Sequence, residues 1–244
     1  MTRWWAVMWL VAALFAAAPA HAQFGTESSA SKAGFAFPAD GPVRILVFRP
    51  DVRVGAQSTA GLNEPNADWT AAARANIAAA LDAAQLARAN EVRPMPELEG
   101  EDGQLLADYR ALFRTVVGAV VTHKLFAGNR LPTKRAGFNW TLGPGVARLG
   151  TAGGGDYGLF LYTYDSYGSG GRKAMQILGL LAGVGISAGV HIGYAGLVDL
   201  KTGELVWVNA DVQMGGDVRE ADGAAKRVAQ LLEDFPRRAG SAAQ

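Results

Sequence analysis

The sequence predicts an α/β fold, in which a single layered domain contains a mixed β-sheet flanked by helices. Two observations lead to this class. Short β-branched runs alternate with longer segments whose apolar residues recur every three or four positions, which is the pattern of strands alternating with helices. The 244-residue chain is also 50% hydrophobic and contains no cysteine, so hydrophobic burial builds its core without disulfides or thiolate-bound metal.

The N-terminus predicts export. Arg3 precedes an apolar run from Trp4 to Ala18, and a small-x-small exit (Ala-His-Ala) ends at Ala22. This arrangement is typical of a secretory signal peptide, so we expect cleavage near Ala22-Gln23 and a periplasmic or secreted mature chain. The predicted segments are a signal peptide (1–22), a flexible leader (23–41), an α/β domain (42–236) and a flexible tail (237–244).

Charge and motif content argue against several function classes. Removing Arg3 with the signal leaves as many basic as acidic residues, whereas a nucleic-acid surface needs a concentrated positive field. His123 and His191 follow the signal without any metal-ligand spacing. The glycines at 153, 155 and 158 match a dinucleotide fingerprint by letter, but they precede a strand instead of linking a strand to a helix. We therefore expect no cofactor, no metal and no nucleic-acid partner.

In the first half, β-branched residues bounded by proline turns predict a buried strand. A polar loop follows to Pro65, and Asp68 is a good N-cap for the next helix, which has Trp69, Ile77 and Leu81 on its apolar face. Two prolines limit the following segment to an edge strand or an extended link. The predicted elements are a strand at 43–48, a helix at 69–90, the edge segment at 91–98 and a helix at 101–125.

In the second half, the distinctive feature is a run of 25 residues without a formal charge, from Ala174 to Val198. The run is long enough to span a bilayer, but its six glycines suit close packing of a helix on a sheet. We predict that it folds into the protein's own interior. The other predicted elements are a strand at 157–164, a helix at 174–186, a hairpin of strands at 190–200 and 205–212, and a last helix stopped by Pro236.

Three motifs in this half resemble those of exported envelope proteins. They are Asp156-Tyr157-x-Leu159-Phe160, then Asp165-Ser166-Tyr167-x-Ser169-Gly170-Gly171, and the hairpin Gly196-Leu197-Val198-Asp199-Leu200-x-Thr202-Gly203-Glu204-x-Val206-Trp207. In these motifs the chain is similar to exported proteobacterial proteins that share the fold of the curli-secretion lipoprotein, the lipoprotein activators of penicillin-binding proteins and the N-terminal domain of TolB. The resemblance covers residues 43–235 and implies a non-enzymatic assembly or adaptor role, often in an oligomer. The lipidated cysteine of the named lipoproteins is missing here.

These observations favour an exported binding or assembly protein without catalytic activity, which acts on an envelope protein or as a homo-oligomer. Glycine-rich loops at 143–156 and 165–173 are its expected working surface. The candidate partner-binding residues are Trp140, Asp165, Ser166, Tyr167, Ser169 and Arg172. One alternative is a membrane-inserting oligomer that uses Ala174–Val190. Another is a serine hydrolase built on Ser166 or Ser169, a histidine, and Asp165 or Asp199, although no Gly-x-Ser-x-Gly elbow supports it.

Overall fold

The computed structural model describes residues 27–84, 90–125, 129–135, 137–181 and 189–240. Within them an open, mixed sheet of eight strands is flanked by five α-helices, which confirms the predicted α/β class. The strands are β1 (Glu27–Ser31), β2 (Arg44–Val47), β3 (Asp51–Gln57), β4 (Asn63–Pro65), β5 (Glu91–Pro94), β6 (Tyr157–Gly168), β7 (Gly189–Asp199) and β8 (Leu205–Asp211). The helices are α1 (Ala67–Ala83), α2 (Gly100–Val120), α3 (Ala147–Gly153), α4 (Gly170–Leu181) and α5 (Ala221–Leu231). The predicted signal peptide lies outside the described residues.

The sheet runs in the order β1-β8-β7-β6-β2-β5. β2 is parallel to both β5 and β6, whereas β7 is antiparallel to both of its neighbours, β6 and β8. The long strand β6 also pairs with β3, beyond the point where β2 ends. Pro50 lies between β2 and β3 and has no N–H to give to the ladder, so the two strands follow one another along β6 with a break between them.

Each face of the sheet has its own apolar core. On one face Ile77 of α1 and Val228 of α5 pack with Leu159 and Leu197. On the other, α2 and α3 cover the second cluster, in which Phe113 stacks on Phe160 with ring centroids 5.0 Å apart. The alternation of side chains along each strand supplies both layers. The sheet is therefore buried from both sides along most of its width, as an α/β layer requires.

Two predictions in the first half differ from the structure. The residue that caps α1 is Asn66, whose side-chain oxygen accepts the Trp69 N–H at 2.9 Å, and not Asp68. The segment predicted as a polar loop to Pro65 contains β3 and β4. Val52 and Val54 are buried on either side of exposed Arg53, a period-two pattern that identifies a strand. The last part of the predicted first helix, residues 85–89, lies outside the described residues.

The segments expected to be a flexible leader and tail take part in the fold. β1 pairs with β8 in an antiparallel ladder from Glu27–Asp211 to Ser31–Trp207. Phe37 is fully buried, and its backbone N–H donates to the Arg237 carbonyl at 3.0 Å. The ordered domain therefore begins ahead of the predicted boundary at residue 42 and continues to residue 240. Residues 23–26 and 241–244 lie outside the described residues.

The predicted hairpin is confirmed, and its turn follows from its sequence. The Asp199 side chain accepts the backbone N–H groups of Lys201 at 2.8 Å and Thr202 at 3.1 Å, which closes the turn. Gly203 follows with φ of 77°, a left-handed conformation that glycine adopts without strain. Trp207 of β8 lies in the core, with 1% of its surface exposed.

Candidate functional site: an exposed apolar helix

The uncharged run does not fold entirely into the interior, because α4 presents its large apolar side chains to solvent. The exposed fractions are 43% for Met175, 62% for Ile177, 60% for Leu178, 77% for Leu180 and 80% for Leu181. The prediction of a buried segment is therefore wrong for this helix. It is confirmed for the C-terminal part of β7, where Ala195, Leu197 and Val198 are fully buried. Residues 182–188 of the run lie outside the described residues.

Helix α4 is oriented with its polar and small residues toward the protein. Arg172, Gln176 and Gly179 are the less exposed positions, and their spacing of four and three places them in one stripe. The Ser169 hydroxyl caps the helix by accepting the Arg172 N–H at 3.2 Å. This stripe contains no large apolar side chain. The large apolar side chains of α4 therefore lie on the opposite side of the helix, which faces water.

The turn between β3 and β4 holds the start of α4. The Arg172 guanidinium donates to the Thr59 carbonyl at 3.4 Å and lies 3.1 Å from the position that a side chain at Gly61 would take. Leu62 follows in the same turn and is 70% exposed. We call the exposed apolar surface of the helix the α4 patch; its members are Met175, Ile177, Leu178, Leu180 and Leu181. Clustered apolar exposure of this kind marks an interaction surface, whereas single exposed apolar residues are ordinary.

Asp165, a candidate partner-binding residue, lies instead in a buried polar network. Its carboxylate accepts the Arg227 guanidinium at 2.8 and 3.0 Å and the Thr163 hydroxyl at 2.7 Å, and His191 Nδ1 lies 2.8 Å away. Burial by itself raises the pKa of Asp165, but the hydrogen bonds from His191, Arg227 and Thr163 outweigh it, so the pKa lies below its usual range. Neither Asp165 nor Arg227 is exposed. This network stabilises the fold and offers no surface for a partner.

Arg227 was not singled out from the sequence, although a signal was present. It lies in the same stripe of α5 as Ala224, Val228 and Leu231, all of which are buried. A lone arginine on the buried face of an amphipathic helix requires a buried acceptor, because an unpaired buried charge is very costly. Asp165 on β6 is that acceptor.

The arrangement required for a serine hydrolase is only partly present. Asp165 and His191 lie together, but Ser166 is the next residue on β6 and therefore faces the other side of the sheet. The Ser166 hydroxyl is buried and has no hydrogen-bond partner within the described residues. The Ser169 hydroxyl caps α4. Neither serine hydrogen-bonds to His191 in the described part of the chain.

Tyr167 belongs to an aromatic cluster above this network. The Arg219 guanidinium lies 3.9 Å from the Tyr167 ring centroid and 4.4 Å from that of Trp69. The Tyr167 hydroxyl accepts the Val218 N–H at 3.1 Å, and burial is the main cause that raises its pKa. The cation–π contacts hold the loop before α5 against the start of α1.

Trp140 packs against the second apolar core and lies far from the other candidate residues. Lys134 Nζ is 4.5 Å from the Trp140 ring centroid. The backbone carbonyl of Trp140 accepts the Leu205 N–H at 2.9 Å. Leu205 lies at the end of the sheet near Gly158, whereas Arg172 follows Gly168 at the opposite end of β6. Ten residues of strand separate these ends by roughly 33 Å, so the six predicted residues do not form a single site.

Within the described ranges no helix combines the length and the hydropathy needed to cross a membrane. The same residues contain no group of three or more His, Asp or Glu side chains placed to hold a metal ion.

The comparisons with known proteins give structural matches alone. No protein-family model matches the chain, and no curated protein sequence does so. Among solved structures, the chain is similar to the PelC dodecamer from Paraburkholderia phytofirmans, with a TM-score of 0.39 and 14% identity over 88% of this chain and 99% of that chain. A point variant of the same dodecamer gives a TM-score of 0.40, with the same identity and the same coverage.

Proposed function

We propose that this chain is an exported, non-catalytic assembly protein of the bacterial cell envelope, and that it docks on a lipid bilayer through the α4 patch. The observation that carries the proposal is the orientation of α4, which is the reverse of an ordinary amphipathic helix: Gly179 faces the protein, and Leu178, Leu180 and Leu181 face the solvent. A folded protein keeps such a surface in water only at a cost, because each leucine gains about 1.5–3 kcal/mol when it is buried.

The distribution of charge around the patch favours lipid as the occupant. The exposed Lys173 lies at the start of α4, where a basic group meets anionic headgroups, and the exposed apolar fraction increases toward Leu181. Beyond Leu181 the sequence continues without a formal charge to Val198. A protein interface normally has a polar rim around its apolar centre, whereas hydrocarbon requires an apolar tip of this kind.

The length of α4 fits docking within one leaflet. A helix of 12 residues is roughly 18 Å long, which is short of the roughly 30 Å of a hydrocarbon core. The helix lies in the connection between β6 and β7, two neighbouring antiparallel strands, so this connection begins and ends at the same edge of the domain. The proposed contact is therefore interfacial, with the patch in the headgroup and upper acyl region.

The proposal includes no catalytic step. Arg227 already pairs with Asp165, and Ser166 faces the side of the sheet opposite to His191. In this proposal these residues stabilise the fold and do not act on a substrate. A broad esterase and peptidase screen of the wild type and of the Ser166→Ala and Ser169→Ala variants tests this part. Activity that disappears in either variant would contradict it.

Vesicle flotation tests the docking. The full chain, exported and processed by a bacterial host, is mixed with phosphatidylethanolamine–phosphatidylglycerol vesicles and separated by density. The Leu180→Gln/Leu181→Gln double variant is compared with a matched Leu112→Gln/Leu131→Gln control, which changes two exposed leucines away from the patch. We expect the wild type and the control to float with vesicles, and the α4 variant to partition about 100-fold less, since two leucines together contribute about 3 kcal/mol or more.

Two outcomes would overturn the proposal. In the first, the α4 variant binds vesicles as well as the control does. In the second, the wild type does not bind vesicles but self-associates in their absence, and the α4 variant does not self-associate. The occupant of the patch would then be a second copy of the chain. Circular dichroism of each variant establishes that the substitutions leave the domain folded, as expected for exposed positions.

A further inference from the structure

A cavity of about 380 Å³ opens where the parallel strands β2 and β5 end, beside α1. Its lining is largely apolar and includes Leu81 and Met95, which are both buried. Small-molecule sites are commonly cavities of this size with an apolar lining and a few polar groups, and in α/β sheets they lie outside the carboxyl ends of the strands. The charged residues that line this cavity are Arg49, Asp82, Arg93 and Glu97.

The break in the sheet at Pro50 leaves room for the cavity. β6 pairs with β2 up to Val47 and pairs with β3 from Asp51 onward, so the residues between them leave the ladder. Because β5 is the edge strand and ends at Pro94, no further strand covers this corner in the described part of the sheet. The space between the strand ends and α1 therefore remains open.

Both arginines of the lining already have partners. Arg49 lies 3.6 Å from the Glu97 carboxylate, so these two opposite charges share one part of the rim. Arg93 donates to the Gly154 carbonyl at 3.2 Å. Gly154 follows α3, which packs on the opposite face of the sheet from α1, so this contact holds the Arg93 guanidinium away from α1.

Asp82 is the lining charge that remains without a contact. Its side chain is exposed at the end of α1, and it forms neither a hydrogen bond nor an ion pair with any other residue that the structure describes. A cationic group that entered the cavity beside α1 would therefore meet a carboxylate whose acceptors are still available.

The position of Asp82 in its helix is electrostatically unfavourable. It lies in the last turn of α1, and that turn contains no basic residue. The carbonyl groups at the C-terminal end of a helix carry partial negative charge, so a carboxylate is disfavoured there and favoured in the first turn, where Asp68 lies. Helix stability does not explain Asp82, whereas a bound cation would compensate both the carboxylate and the helix end.

Helix α1 places this carboxylate in line with apolar side chains. Ala78, Leu81 and Asp82 all line the cavity, and their spacings of three and four put them on one side of the helix. A ligand lying along this side meets a carboxylate at one end and apolar groups at the other.

We propose that this cavity binds a small amphiphile with a single primary ammonium group on an unbranched apolar chain of about eight carbons. The ammonium group pairs with Asp82, and the chain lies against Ala78 and Leu81. At about 30 Å³ for each water-sized group, the cavity holds roughly a dozen non-hydrogen atoms, which is enough for octylamine. This site is distinct from the α4 patch, and either proposal can fail without the other.

Calorimetric titration of the full chain with octylamine, below its micellar concentration, tests the site. Ala78→Trp fills the cavity from its rim, and Ala79→Trp is the matched control, because residue 79 is also exposed on α1 but does not line the cavity. We expect octylamine to bind the wild type and Ala79→Trp alike and to bind Ala78→Trp at least tenfold more weakly. Equal binding to both tryptophan variants, or no binding to the wild type, would overturn the proposal.

The charge requirement has its own comparison. Asp82→Asn is measured beside Asp68→Asn, which removes a carboxylate from the other end of the same helix, outside the cavity. We expect octylamine binding to weaken about tenfold in Asp82→Asn and to stay unchanged in Asp68→Asn. Octanol and octanoate, which have the same chain without the cation, should each bind the wild type at least tenfold more weakly than octylamine does. Binding of either one as tight as that of octylamine would overturn the cationic assignment.

Thermal unfolding without ligand separates binding from a role in the fold. Because of their places in the helix, Asp68→Asn should lower the melting temperature and Asp82→Asn should not. A fall in Asp82→Asn as large as that in Asp68→Asn would show that Asp82 serves the fold and would contradict the argument for a ligand. The Leu180→Gln/Leu181→Gln variant should bind octylamine normally, which distinguishes this site from membrane docking.

Discussion

The Asp165 carboxylate and the Arg227 guanidinium form two hydrogen bonds, of 2.8 and 3.0 Å, and neither side chain is exposed to solvent. This ion pair joins the last helix of the chain's described part, α5, to the long central strand β6. Thr163 and His191 occupy further positions around the same carboxylate. The attraction within such a pair offsets the desolvation of the two charges only when the remaining hydrogen-bonding positions are filled, as they are here.

Removing one partner of this pair should destabilise the protein severely. In Arg227→Met the Asp165 carboxylate stays buried without its guanidinium, and we expect the free energy of unfolding to fall by about 3–5 kcal/mol. Urea denaturation followed by circular dichroism measures the change. Arg53→Gln is the control, because it breaks the exposed Arg53–Asp51 pair and should cost about 1 kcal/mol or less. Equal effects of the two substitutions would contradict the buried network.

The Asp217–Arg219 pair should make stability depend on acidity. The hydrogen bond from Arg219 lowers the pKa of Asp217 to about 2, below its unfolded value of about 3.9. A group with a lowered folded pKa contributes stability that is present above the unfolded pKa and is lost as pH falls toward the folded value. The stability difference between wild type and Asp217→Asn should therefore be constant above about pH 5 and shrink between about pH 4 and pH 2.

Direct titration checks the cause of that shift. In Arg219→Ala, carboxyl-carbon NMR should show the Asp217 pKa returning toward about 3.9, since the guanidinium that favours the charged form is gone. The same substitution removes the cation that contacts Trp69 and should change its fluorescence. An unchanged Asp217 pKa would show that the hydrogen bond from Arg219 does not persist in solution.

Much of the fold followed from local patterns. The strands β2, β6, β7 and β8 and the hairpin turn at Asp199 were predicted because each carries a β-branched or aromatic run bounded by turn residues. β3 was missed although Val52 and Val54 alternate with polar residues, since proline and glycine around it suggested a loop. Pairing partners were beyond prediction, because the contacts between β1 and β8 join residues that are distant in the sequence.

The candidate site shows why helix composition does not determine burial. The apolar content of residues 174–186 predicted a buried helix there. The structure has a helix at Gly170–Leu181, which overlaps the predicted range. The orientation of α4 depends on the surface of the domain against which it packs. Here Arg172 joins the start of the helix to the β3–β4 turn.

Alanine substitutions at two glycines test the backbone conformation and the free space around them. Gly118 lies in α2 with no atom near the place of a side chain, so Gly118→Ala should stabilise the protein by about 0.5–1 kcal/mol. Gly203 has φ of 77°, and a side chain there would collide with the Gly143 backbone, so Gly203→Ala should lower the melting temperature. Differential scanning calorimetry compares the two. Destabilisation by both substitutions would contradict the open space beside Gly118.

The exposure of α4 predicts that its leucines contribute little to the stability of the isolated domain. In the absence of lipid, Leu180→Ala should change the free energy of unfolding by less than about 0.5 kcal/mol, since a mostly exposed side chain leaves no cavity behind. Leu149→Ala is the matched comparison, because Leu149 of α3 is fully buried and its truncation should cost about 2–5 kcal/mol. Chemical denaturation without vesicles measures both. A loss at Leu180 comparable to that at Leu149 would mean that α4 packs into the protein's interior in solution, and the docking surface would not exist.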